Sequence, residues 1–172
     1  MAISADCSPI RAMTWINVAY RDKTKTFQVA PCRLIPYLGR LYVAAWTETH
    51  KSYLTLAVDR IRSVADTPDA PTTFPDFTID AFMANRFGLW SSEEVDDVIV
   101  HIHPDAYEQF ATRRWHPSQK LTDLPNGGLE IRMRTGIGHE LTSWVLHWAP
   151  LITVIAPQRL KDEIKKKVKE ME

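Results

Sequence analysis

The stretch Arg40-Leu41-Tyr42-Val43-Ala44-Ala45-Trp46, a polar break over residues 47–51, and Ser52-Tyr53-Leu54-Thr55-Leu56-Ala57-Val58-Asp59-Arg60-Ile61-Arg62 decides the fold. A period of two puts Leu41, Val43 and Ala45 on one face, and Arg40, Tyr42, Ala44 and Trp46 on the other. Arginines and aromatic rings on one strand face suit a ligand with flat rings and negative charge. No other stretch of the chain looks as much like a chemical site.

Outward from this pair, residues 12–64 read as five short strands joined by tight turns. Residues 13–20 alternate, residues 21–25 form a polar turn, and Pro31 and Pro36 make residues 27–37 a bent or edge strand. Turns follow at residues 38–40 and 47–51. No helical period interrupts these strands, which predicts a small, strongly bent sheet or barrel. Residues 67–75 hold three prolines and read as a linker. Residues 77–90 read as a helix followed by a loop, with Phe82, Phe87 and Trp90 as its apolar set.

The order changes after Asp96. Val98-Ile99-Val100 is a strand core, and Pro104 opens a helix over residues 105–113 with Ala106, Tyr107 and Phe110 on one side. A strand over 120–124, a type I′ turn at Asn126-Gly127 and a strand over 129–134 come next. Leu141, Trp144, Val145 and Trp148 recur at i, i+3, i+4, i+7, the stripe of an amphipathic helix. Residues 151–155 form the last strand. The order is βαββαβ, the ferredoxin-like plan. A final helix begins at Pro157 with Leu160, Ile164, Val168 and Met171 on one stripe, fit to pack on its own domain or against a partner chain. The fold class is therefore α+β: a small barrel over 11–66, a linker with a helix over 67–93, and a ferredoxin-like domain over 94–172.

Composition is that of a soluble globular protein, with 45% hydrophobic and 24% charged residues among 172. No apolar run reaches membrane-spanning length, and the first eleven residues lack a signal-peptide pattern. Cys7 and Cys32 form no CxxC pair; Cys32 reads as a buried thiol, and a reducing, cytoplasmic compartment is expected. The net charge of zero hides an asymmetry. Residues 1–64 hold nine Lys or Arg against four Asp or Glu, and residues 65–157 hold six against thirteen. Only the first part should attract a polyanion.

Candidate chemistry elsewhere is thin. His101-x-His103 with Asp105 could be half of a zinc site, but no third ligand stands at a diagnostic spacing, and surface or packing histidines are the simpler reading. Gly136-Ile137-Gly138 fits a strand-to-helix turn needing positive φ better than a phosphate cradle. His116, between Trp115 and Pro117, anchors a turn, and Lys165-Lys166-Lys167 is a solvated face. There is no nucleophile elbow, telling carboxylate pair or Cys–His signature, so no enzyme, metal or cofactor is expected. Arg33 shares its face with Ile35 and Tyr37. In register, Arg33, Arg40, Tyr42 and Arg60 could line one concavity, the guanidinium groups on phosphates and the rings on bases. The alternative is that Tyr42 and Trp46 fill a second small core under the linker helix, with the arginines merely solvated.

These residues resemble the WYL-domain family of bacterial regulators. The resemblance rests on Tyr20-Arg21-Asp22, Pro31-Cys32-Arg33-Leu34, Leu41-Tyr42-Val43 after Gly39-Arg40, and Asp59-Arg60-Ile61. Trp115-His116-Pro117-Ser118-Gln119, Leu141-Thr142-Ser143-Trp144 and Trp148-Ala149-Pro150 resemble the extension that often follows. It implies a Sm-like, SH3-type barrel, then a ferredoxin-like dimerisation domain. It further implies effector sensing, with single-stranded nucleic acid or a nucleotide-like ligand bound on the barrel. The positive charge of this part and the placement of its side chains put that ligand on Tyr20, Arg33, Arg40, Tyr42 and Arg60. The residues before Arg11 are too few for the family's winged helix, so the helix-turn-helix that contacts DNA is expected to be absent from this chain. Leu41 and Val43 depart from the name-giving triplet. Leu54 and Leu56 stand where an Arg and an aromatic are usual, which removes one phosphate partner. The rival expectation is a purely structural dimerisation or protein-interaction module.

Overall fold

Alternating apolar residues in the first half pair into one antiparallel sheet, seen in a computed structural model that describes residues 16–20, 25–67 and 76–171. Its strands are β1 (Ile16–Tyr20), β2 (Lys25–Tyr37), β3 (Arg40–Thr47), β4 (Ser52–Ala57) and β5 (Ile61–Asp66). They lie in the order β4-β3-β2-β1-β5, and one turn of 3-10 helix, Val58–Arg60, joins β4 to β5. These two edges share no ladder among the described residues, so the sheet is open where a closed barrel was one expectation. The polar turn at 21–25 and the linker at 67–75 fall almost wholly outside the described residues.

The bend expected of β2 has a clear cause. Its first part pairs with β1 as far as Val29, and from Ala30 onward it pairs with β3. The register slips between Pro31 and Arg33, leaving Cys32 as the extra residue of a bulge. Both prolines sit in the part that has one neighbouring strand, where a missing N–H is tolerable. Leu38 and Gly39, with φ of 47° and 75°, form the two-residue turn into β3. Positive φ at both positions is type I′ geometry, matched to the twist of the strands. Val18, Val29, Ala45 and Leu56 form the interior cluster, with Tyr20, Phe27, Val43 and Leu54 packed around it.

The chain divides into two compact units, the first ending at Thr78 and the second starting at Ile79. The second holds α1 (Ile79–Met83), β6 (Val95–Ile102), α2 (Tyr107–Ala111), β7 (Lys120–Asp123), β8 (Leu129–Gly136), α3 (His139–Trp148), β9 (Ile152–Ala156) and α4 (Gln158–Lys169). Its antiparallel sheet runs β7-β8-β6-β9. Val98, Val100, Ile131 and Met133 from the sheet meet Phe110, Leu141, Trp144 and Leu160 from the helices. No helix among the described residues is long and apolar enough to cross a membrane.

Three local expectations need correction. Asn126-Gly127 is not a type I′ turn, because Gly127 alone has positive φ, 79°. Gly127 N–H donates to Leu124 O at 3.0 Å and Leu124 N–H to Gly128 O at 2.9 Å. Pro125, with φ held negative by its ring, opens a type I turn that Gly127 closes as a left-handed bulge. Gly136 and Gly138 have no positive φ either. Gly136 is required by space: a Cβ there would stand 2.4 Å from Ser92 Cβ and 2.6 Å from Asn85 O. Trp90 is 51% exposed and does not join Phe82 and Phe87 in the core. The stripe after Pro157 packs in part on its own domain: Leu160 is buried and Ile164 half-buried against the core, while Val168 and Met171 are exposed.

The turn expected at His116 is built from its own polar atoms. His116 is 2% exposed, and its Nε2–H is shared between Met83 O at 3.1 Å and Arg86 O at 3.0 Å. Its Nδ1 accepts from Ser118 N–H at 3.2 Å, and Gln119 Oε1 accepts from the N–H groups of Trp115 and His116. Burial pushes the His116 pKa below the ordinary imidazole value, so the ring is neutral in the fold. The unfolded chain protonates first, near pH 6.5. Stability from the neutral ring is therefore complete above that pH and lost as pH falls toward the lower folded value. Denaturant titrations from pH 8 to pH 5 should show stability falling on acidification, with a slope from this group of at most about 1.4 kcal/mol per pH unit. His116→Gln should flatten the profile while lowering stability at pH 8. Equal steepness in the two proteins would refute this assignment.

Candidate ligand-binding face

The register of β2, β3 and β4 decides which side chains share the sheet's outer face. Arg33 lies opposite Ala44, Ile35 opposite Tyr42, and Tyr37 opposite Arg40. On the other side of β3, Ala57 pairs with Tyr42, Thr55 with Ala44, and Tyr53 with Trp46. The face therefore carries Arg33, Tyr37, Arg40, Tyr42, Trp46, Tyr53 and Thr55. Leu54 and Leu56 point the other way, opposite Ala45 and Val43, into the interior cluster.

The rings form a connected row. Trp46 meets Tyr53 edge to face with centroids 5.0 Å apart, and Tyr53 meets Phe77 likewise at 5.3 Å. The guanidinium carbon of Arg33 lies 5.0 Å from the centroid of the Phe77 ring, a cation–π contact. Arg33 Nε is buried and has no hydrogen-bond partner among the described residues. Burial, then the neighbouring Cys32 and Asp76, raise the Tyr53 pKa, so its hydroxyl stays protonated. Burial likewise raises the Cys32 thiol, which donates to Ala30 O at 3.2 Å.

The five residues expected at the site have different settings. Arg33, Arg40 and Tyr42 share the outer face. Tyr42 is 9% exposed and edge-on to Tyr37 at 6.5 Å; Ile35, Ala44 and Ala57 are buried too, so part of this face is covered. Arg40 pairs with Asp59 at 3.6 Å, both more than half exposed, an interaction of little energetic weight. Arg60 ends the 3-10 turn and is half-buried. Tyr20 packs against the interior cluster, and its hydroxyl oxygen accepts from Ala57 N–H at 3.1 Å. Tyr53 and Thr55 were legible from alternation in β4 once Trp46 was paired with Tyr53. Phe77 gave no local signal, since it reads as the start of a helix.

The histidine pair separates. His101 Nε2 lies 2.8 Å from Glu130 Oε2, whereas His103 Nδ1 accepts from Asp105 N–H at the start of the 3-10 turn before α2. Hydrogen bonds from Arg132 and then His101 hold the Glu130 pKa below the usual carboxylate range. Among the described residues no cluster of three His, Cys, Asp or Glu could hold a metal ion.

A small open β-sheet with a basic-aromatic outer face, followed by a unit with a four-stranded sheet and helices, defines a two-unit α+β protein. The family described as "WYL domain" matches residues 10–66, and that described as "WCX domain" matches residues 94–171. The chain belongs to the WYL-domain family. Among solved structures it is similar to proteasome accessory factor B/C (PafBC) of Arthrobacter aurescens, at 19% identity and a TM-score of 0.39, over 91% of this chain and 24% of that one. It is also similar to a CRISPR Cas-related protein, at 13% identity and a TM-score of 0.60, over 92% of this chain and 46% of that one. The second likeness bears on the fold. The chain thus spans less than half the length of either. No curated protein matches it.

Proposed function

We propose that this chain is the non-catalytic, effector-sensing and dimerisation module of a cytoplasmic transcriptional regulator, taking single-stranded nucleic acid or a nucleotide-like anion on the outer face of the first sheet. Membership of the WYL-domain family supports a regulatory sensing role. The observation that carries the ligand class is Arg33: a guanidinium with a buried Nε lacking an acceptor, set among aromatic rings. An anion would supply the missing acceptor, and a base would find a stacking surface. In this reading the first unit is an open Sm-like barrel. The second is a ferredoxin-like domain, supported by its β6-α2-β7-β8-α3-β9 order and its β7-β8-β6-β9 sheet. It joins two copies of the chain, and promoter contact belongs to a helix-turn-helix of the regulator rather than to this module.

Titration of fluorescein-labelled dT8 at several salt concentrations tests the reading. Binding should weaken with salt, and the log–log slope should become shallower by about 1.4 in an Arg33→Ala/Arg60→Ala double variant if each arginine neutralises one phosphate, at roughly 0.7 per contact. An unchanged slope, or no binding at low salt, removes the proposal. The burial of Tyr42 and the inward aim of Leu54 favour a second reading, a structural dimerisation module with a degenerate site. A dimeric mass with no optical or thermal response to dT8 or to nucleotides would select it.

A further inference from the structure

We infer that Phe77 is an internal surrogate ligand, holding the outer face of the first sheet closed until a phosphate-bearing aromatic ring displaces it. This rests on the proposed ligand class for that face. The Phe77 ring takes the stacking position on Arg33, at 5.0 Å, and the edge of Tyr53, at 5.3 Å. Both are contacts a flat base would make on a basic-aromatic surface. Asp76 precedes it and lies close enough to Tyr53 to disfavour ionisation of the phenol. Asp76-Phe77 thus carries a carboxylate beside a planar ring, a coarse copy of an anionic aromatic ligand.

The copy is imperfect in a way that allows exchange. A phenyl ring offers Arg33 a π face but no hydrogen-bond acceptor, and Arg33 Nε stays buried and unpartnered. A phosphate oxygen would satisfy it, and charge-assisted hydrogen bonds outweigh a half-buried cation–π contact. Phe77 is no part of the sheet that it covers: β5 ends at Asp66, and Ile79, two residues after Phe77, begins α1 of the second unit. Release of Phe77 therefore frees the segment that enters the second unit, which ties occupancy of the face to the chain connection between units. A plug of this kind lowers apparent affinity by the fraction of molecules in which the face is open.

Anisotropy titrations of the full chain with labelled dT8, and competition by dTMP, test the inference in wild type, Phe77→Ala, Phe77→Leu and Arg33→Ala. Phe77→Ala should bind about tenfold tighter, equivalent to about 1.4 kcal/mol. Phe77→Leu, which keeps an apolar side chain without the π face, should tighten by a smaller factor. It decides the matter if far-UV circular dichroism shows that the alanine variant is misfolded. Arg33→Ala, alone and combined with Phe77→Ala, should lose binding. Tightening toward dTMP as well as dT8 supports the plug with a single nucleotide as sufficient ligand; tightening toward dT8 alone supports it with a strand as ligand. Equal affinities in wild type and both Phe77 variants overturn the plug and leave the ligand reading standing. Weaker binding on loss of Phe77 also overturns it, making the ring part of the ligand's own platform. Absence of binding in every protein at low salt overturns the ligand reading and the plug together.

Discussion

Phe110→Ala is expected to lower the unfolding free energy of the second unit by about 3–5 kcal/mol, the range for deleting a buried aromatic side chain. For a unit of this size the thermal midpoint should fall by about 15–30 °C. Phe110 comes from α2 and is fully buried. Its ring centroid lies 4.9 Å from that of Trp148, 5.1 Å from Trp115 and 5.8 Å from Trp144. Truncation removes area burial and three edge or tilted ring contacts, and leaves a void that three indoles are too rigid to fill. Urea titration followed by tryptophan emission reads this directly, since Trp90, Trp115, Trp144 and Trp148 all lie in the second unit. Phe110→Leu should cost much less, about 1–1.5 kcal/mol. A loss below about 1 kcal/mol for the alanine variant would show that this cluster is not the core it looks to be.

Arg86→Leu is the next largest, at about 2–4 kcal/mol. Arg86 is 3% exposed, with Nη1 donating to Phe82 O at 2.5 Å and Nε to Leu89 O at 3.3 Å. Its guanidinium also stands 4.3 Å from the Phe82 ring centroid. Burial lowers its pKa to about 10, against the opposing pull of Glu140, so it remains charged at neutral pH. Glu140 accepts from Leu89 N–H at 3.1 Å and Trp90 N–H at 2.9 Å. Leucine would fill the space while leaving two buried carbonyls and a carboxylate without their cation. Arg86→Lys should recover only part of the loss, because one ammonium cannot span both carbonyls as the planar fork does. Urea titrations with m-values compared across the series give the measurement. A leucine variant within about 0.5 kcal/mol of wild type would mean that water replaces the guanidinium at no cost.

Much of the fold was legible because main-chain geometry writes its period into the sequence. Alternation in 40–47 separated Val43 and Ala45 from Tyr42 and Trp46, and the ladders keep that division. The Leu141, Trp144, Val145, Trp148 stripe is the buried side of α3, with Trp148 half-buried at its end. Misread features were those that a local window cannot hold. Gly136 looked like a conformational glycine because the approach of Asn85 and Ser92 cannot be seen from its neighbours. Asn126-Gly127 has the composition of the usual hairpin pair, but Pro125 ahead of it sets a type I turn with Gly127 as the bulge.

The candidate site divides the same way. Arg33, Arg40 and Tyr42 could be put on one face from alternation and a supposed register. Sequence alone could not say that Tyr42 is buried or that the Tyr20 hydroxyl serves Ala57.

By itself the sequence determined strand and helix order and which side chains alternate onto a basic-aromatic face. These follow from backbone periodicity and from the special dihedrals of proline and glycine, all of them local. Tertiary structure alone decided what those side chains meet. His116 serves the carbonyls of Met83 and Arg86, and Arg33 meets Phe77 from beyond the last strand of its sheet. Such pairings depend on how distant segments close on one another, and the cost and gain of that closure are properties of the whole packed unit.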